Sequence, residues 1–149
     1  MTIKRLLAFF LVTISCNLYF SQDVTIKDTK VLLDGKQILK AEKITLAQYS
    51  FFSMKNDEEV LLYKYMDNET PSYVSDDYFI LNFLTEKVKV ESKDLGKVSN
   101  FMNSKKGMEK IIKWLLKERV LTHDGNLNLE RLAIFKEKYD ENITARTVR

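Results

Sequence analysis

Cysteine, histidine, tryptophan and proline occur once each in this chain of 149 residues, and glycine only four times. One thiol cannot close an intramolecular disulfide, and one thiol with one imidazole cannot furnish a Cys/His zinc site. The scarcity of Gly and Pro, with 45% hydrophobic and 30% charged residues, excludes collagen-like, low-complexity and disordered classes. No glycine-rich phosphate loop is present, so no cofactor is expected. Neither sign of charge dominates, with 24 basic against 21 acidic residues. The length suits a single domain.

The chain opens MTIKRLLAFFLVTISCNLYFSQ. Lys4 and Arg5 precede an apolar run over 6–14, polar character returns at Ser15, and no acid occurs before Asp23. That is the layout of a secretory signal peptide over 1–21, cut before Gln22. The apolar run is too short for the roughly 20 residues of a membrane-spanning helix. Residues 13–16, Thr-Ile-Ser-Cys, are compatible with a lipobox, which would place an acyl chain on Cys16. Without residues 1–21 the chain holds 22 basic and 21 acidic groups. Such a balance gives no electrostatic reason to expect a nucleic-acid partner.

Residues 23–91 read as short antiparallel strands. β-prone runs at 24–27 and 30–33 lead to Asp34-Gly35, a pair suited to a type I′ hairpin, and then to 36–43. Further runs at 49–54, 59–66, 78–84 and 87–91 are separated by 55–58, by a long loop at 67–77 and by Thr85-Glu86. In 78–84 apolar residues occupy both faces, so a covering layer is required. Met108, Ile111, Ile112, Leu115 and Leu116 recur at the spacing of one helical stripe, with Ser104 as a candidate N-cap. A second helix is expected to start after Asn128 and run to about Tyr139. The fold expected is therefore α+β: one domain over 22–149, strand-rich over 23–91, helical over 104–139, with a tail at 140–149. A mostly antiparallel sheet of five to seven strands should carry two C-terminal helices on one face. The expected core comprises Leu62, Phe79, Leu81, Phe83, Ile111, Leu115 and Phe135.

The NLYFSQ ending of the leader, the segment VLLDGKQILKAEK and the run GNLNLERLAIFKEKY resemble a group of uncharacterised small exported proteins of Bacteroidota-type bacteria. The resemblance implies a periplasmic or secreted location and carries no catalytic residue.

Candidate chemistry is sparse. His123 adjoins Asp124, but no G-x-S-x-G serine accompanies it and residues 22–149 contain no cysteine, so an exposed turn is the expectation. Asp124-Gly125-Asn126 resembles the centre of a calcium loop, yet Val120 and Arg131 would fall on ligand positions and cannot coordinate. The clusters Asp57-Glu58-Glu59 and Asp76-Asp77 are the acids that a hydrolase would use, if they converged. The sequons at Asn68 and Asn142 are assigned no role. Charge is segregated: residues 55–79 hold seven acids and two lysines, residues 86–121 ten bases and five acids. Lys105, Lys106, Lys110, Lys113 and Lys117 form the candidate partner-binding face, with Trp114 either its exposed contact residue or reaching the edge of the sheet. The function expected is that of an exported, non-enzymatic accessory or interaction domain, for an unidentified protein or envelope component. A small hydrolase and a lipoprotein anchored through Cys16 are the alternatives.

Overall fold

The computed structural model describes residues 22–67, 76–98 and 104–147. The leader with Cys16, and the Asn68 sequon with Pro71, lie outside these residues. Seven strands, β1 Val24–Lys27, β2 Lys30–Leu33, β3 Lys36–Thr45, β4 Gln48–Ser53, β5 Glu59–Met66, β6 Tyr78–Phe83 and β7 Val88–Ser92, form one antiparallel sheet in chain order. Each strand pairs with its sequence neighbour, so every connection is a hairpin. Asp34 and Gly35 both have positive φ, 50° and 86°, as the type I′ turn requires. The β3–β4 turn carries no Gly, Pro, Asn or Asp. It is held instead by the Thr45 hydroxyl, which accepts from the Ala47 amide, and by the Ala47 carbonyl, which accepts from Tyr65.

Alternation divides the sheet into a dry face and a mixed one. Val31, Leu39, Phe51, Leu61, Leu81 and Val90 point to the dry face and are almost fully buried. Against it lie α1, Ser104–Lys117, and α2, Leu129–Tyr139. Helix α1 buries Met108, Ile111, Ile112, Leu115 and Leu116, the stripe seen in the sequence. At the centre of this layer Trp114 meets Phe79 edge-on at 6.3 Å, and Phe83 meets Phe135 likewise at 6.4 Å. Leu62 departs from expectation. It pairs with Asn82 on the opposite face and is only half-buried, because one residue's shift along a strand reverses the face. Asn128 caps α2 by accepting from the Arg131 amide. Ser104 is instead the first residue of α1, and its hydroxyl meets Tyr49 Oη at 2.9 Å.

At each edge of the sheet a carboxylate accepts from an outward strand amide. On β1 the Ile26 amide donates to Glu109 of α1 at 2.9 Å. On β7 the Glu91 amide donates to Asp140 at 3.0 Å, and the Glu91 carbonyl accepts from the Glu141 amide. The segment expected as a plain tail is therefore a strap. It continues into a short helix, α3, Ile143–Thr147, anchored where the Thr144 amide and hydroxyl both donate to the buried Glu91 carboxylate at 2.8 and 2.6 Å. Between α1 and α2, residues 121–127 form a tight turn pressed on β3. A Cβ on Gly125, whose φ is 76°, would stand 2.0 Å from the Ile38 carbonyl oxygen, so no other residue fits there.

Candidate functional site

Strand pairing brings three tyrosines to one end of the dry face. Tyr63 and Tyr65 are two residues apart on β5 and so share a side, and Tyr49 lies opposite Tyr63 on β4. The amino-terminal turn of α1 approaches this end with Ser104, Gly107 and Met108. Together they bound a half-open cleft of about 260 Å³, with Asp67 on its wall and the 83%-exposed side chain of Leu46 at its rim. Its mostly apolar lining with a few polar groups is that of a small-ligand pocket, and its volume falls just below the usual range of about 300–1,000 Å³.

Internal hydrogen bonds hold two of the three phenols. Tyr49 Oη is engaged by Ser104, and Tyr65 Oη donates to Asp77 Oδ2 at 2.5 Å. Burial, and for Tyr65 also the adjacent Asp77 carboxylate, push the Tyr63 and Tyr65 hydroxyls far above the ordinary phenol value, so both stay neutral. Asp77 is 7% exposed, and its Oδ1 has no hydrogen-bond partner among the described residues. No lysine or arginine lines the cleft among the described residues.

None of these tyrosines stands out in the sequence, where they read as ordinary strand residues. The available signal was the spacing of Tyr63 and Tyr65, which puts two aromatic rings with polar tips on one face.

The lysines form a second feature. Lys106, Lys110, Lys113 and Lys117 recur at i, i+4, i+7 and i+11 and are all exposed, making one ridge along the outer side of α1. Lys105 is exposed too but stands about 100° away around the axis. Lys106 is bonded to Glu109 at 2.8 Å, which raises its pKa above the usual lysine value. Trp114 does not belong to this face. It is 7% exposed, enclosed by Phe79, Phe135 and Tyr139 with the Lys97 ammonium over its ring, so it is a core residue. Its position off the main stripe points it at the junction of the two helices rather than at solvent.

The remaining candidates do not assemble. His123 Nε2 lies 2.7 Å from Gln22 Nε2, while Asp124 pairs with Lys36 at 2.8 Å. The hydrogen bond and charge of Lys36 hold the Asp124 carboxyl below its ordinary range. The acidic clusters stand at opposite ends of β5: residues 57–59 lead into its start, whereas Asp77 precedes Tyr78, the partner of Met66 at its end. Seven strand steps separate Glu59 from Met66, roughly 23 Å, too far for two carboxyl groups to flank one glycosidic bond. Among the described residues no group of acidic, His or Cys side chains is arranged to hold a metal ion. Nor, among them, is any helix long and apolar enough to cross a membrane. Compared with known proteins, the chain matches no family model, no curated protein and no solved structure.

Proposed function

We propose that this protein is an exported, non-enzymatic binding domain whose ligand occupies the cleft among Tyr49, Tyr63, Tyr65 and α1. The cleft itself carries the reading: a concave, largely apolar space with a few convergent polar groups, on a rigid sheet, and without a nucleophile–base pair among the described residues. Export rests on the leader, with Lys4 and Arg5 before the apolar run 6–14. A periplasmic or secreted location follows from it, and acylation of Cys16 would hold the same domain at a membrane. Protein recovered from its host should begin at Gln22, and a fragment screen by amide NMR should shift the signals of Tyr49, Tyr63, Tyr65 and Gly107 together. An intact Met1 overturns export, and a screen that moves no cleft amide overturns the binding role.

The lysine ridge supports a further element of this reading, an anionic lipid surface as the partner of α1. Lys106, paired with Glu109, and Lys110, Lys113 and Lys117 stand exposed in one row on a helix whose opposite side is buried, so the row carries an excess of positive charge without apolar surface. Such a ridge docks by electrostatic attraction rather than by insertion.

A further inference from the structure

We propose that Gln22, once cleavage makes it the first residue of the chain, is a modification site that closes on itself to pyroglutamate, with His123 serving the departing nitrogen. The inference rests on the cleavage before Gln22 argued above. A free α-amine and a side-chain amide on one residue are nucleophile and electrophile already joined, and attack within one molecule is far faster than the same attack between two. The α-amine is unprotonated in part at neutral pH, so its lone pair is available.

The fold leaves this residue free to react and sets a proton carrier beside it. The chain is clamped from the next residue onward: the Asp23 amide donates to Asp34 Oδ1 at 2.9 Å, the Asp23 carbonyl accepts from the Asp34 amide at 2.8 Å, and β1 begins at Val24. Gln22 itself precedes the strand and is only half-buried. Its side-chain Nε2, which can only donate, meets His123 Nε2 at 2.7 Å, so the imidazole lone pair accepts from the amide. The two residues are 101 positions apart in sequence, and the turn that brings His123 there is fixed. In it the Thr122 amide donates to the Asn126 carbonyl at 2.9 Å and the Gly125 amide to the Thr122 carbonyl at 3.0 Å, with Gly125 pressed on Ile38.

The step balances within the residue. The Gln22 amine nitrogen attacks Cδ and forms the N–Cδ bond. The Cδ–Nε2 bond breaks, and Nε2 leaves as ammonia with the proton that the amine sheds. No oxidant, reductant or co-reactant is needed. An amide nitrogen departs readily only when protonated, and the imidazole takes up the amine's proton through water and returns it to Nε2. The product is a neutral lactam, so the processed chain loses its terminal positive charge.

The test follows the mass of the chain over time after release from a removable N-terminal tag that leaves Gln22 first. The mass should fall by one ammonia, and the first residue should stop reacting with amine reagents. Gln22→Asn, whose shorter side chain would have to close a strained four-membered ring, should keep both its mass and its amine. His123→Ala should slow the loss at least about tenfold in the folded protein while leaving the unfolding midpoint near the parent's. In urea, where Gln22 and His123 part, parent and His123→Ala chains should lose ammonia at one common rate. A parent chain that retains its ammonia overturns the proposal, and a His123→Ala chain that cyclises as fast as the parent overturns the role of His123. Protein recovered from the host separates the two readings. An unmodified Gln22 at its start refutes cyclisation and leaves export standing, whereas an intact Met1 overturns export and the modification with it.

Discussion

Phe83 and Leu62 are both large apolar residues of central strands, and only one of them is core. Phe83 is completely buried on the dry face with Phe135 edge-on at 6.4 Å, whereas Leu62 is half-buried on the mixed face. Phe83→Ala therefore removes a full set of contacts and leaves a cavity, at a cost of about 3–5 kcal/mol. Leu62→Ala should cost markedly less, since water already reaches that side chain. Urea unfolding of the two variants checks the ordering, and a Phe83→Ala midpoint equal to that of the parent would show the dry face to be misassigned. Trp114 teaches the complementary lesson. A residue off the main helical stripe is exposed only when one surface covers the helix; here β6 and α2 cover two.

Among elements, the strap of residues 140–147 has the most distinctive electrostatics. Burial penalises the charged form of Glu91, but hydrogen bonds from Lys89 and Thr144 outweigh it and leave its carboxyl below the ordinary value of 4.5. A carboxyl depressed in the folded state stabilises that state above its unfolded value, and the contribution fades as pH falls through the lower folded value. The strap should thus stay closed near neutrality and loosen in acid below about pH 4.5. Glu91→Gln, which keeps the shape but not the charge, should flatten that acid dependence. Hydrogen exchange at the Thr144 and Glu141 amides reads the opening, and an unchanged acid profile in the variant would exclude Glu91 as its cause. The elements themselves were largely legible. Strands β1, β2 and β5 follow from their β-prone runs and the Asp34-Gly35 turn, and helix α2 spans the stretch expected after Asn128. The β3–β4 turn and the strap were not, because Thr45 and Thr144 act through side-chain hydrogen bonds that composition does not mark.

At the scale of the molecule, the cleft and the lysine ridge lie on different sides of α1, so surface docking and ligand capture need not compete. The ridge, including the exposed Lys110 and Lys113, was readable from helical spacing alone; the cleft was not, because its tyrosines converge only through strand register. Attraction of the ridge to anionic vesicles should weaken steadily with salt, as exposed charges are screened over about 8–10 Å. Lys110→Glu with Lys113→Glu should abolish vesicle binding and leave the unfolding midpoint close to the parent's. Binding that is insensitive to salt and survives the double reversal would dismiss the electrostatic attachment. The closure of both sheet margins has a consequence for self-association. Glu109 occupies the backbone donor of Ile26 on one margin, and Asp140 with Glu141 occupies both backbone groups of Glu91 on the other. A second chain arriving at those positions finds these groups already taken, which blunts strand addition in neutral solution. Acid that loosens the strap uncovers the β7 margin first, making that strand the place where copies would begin to polymerise.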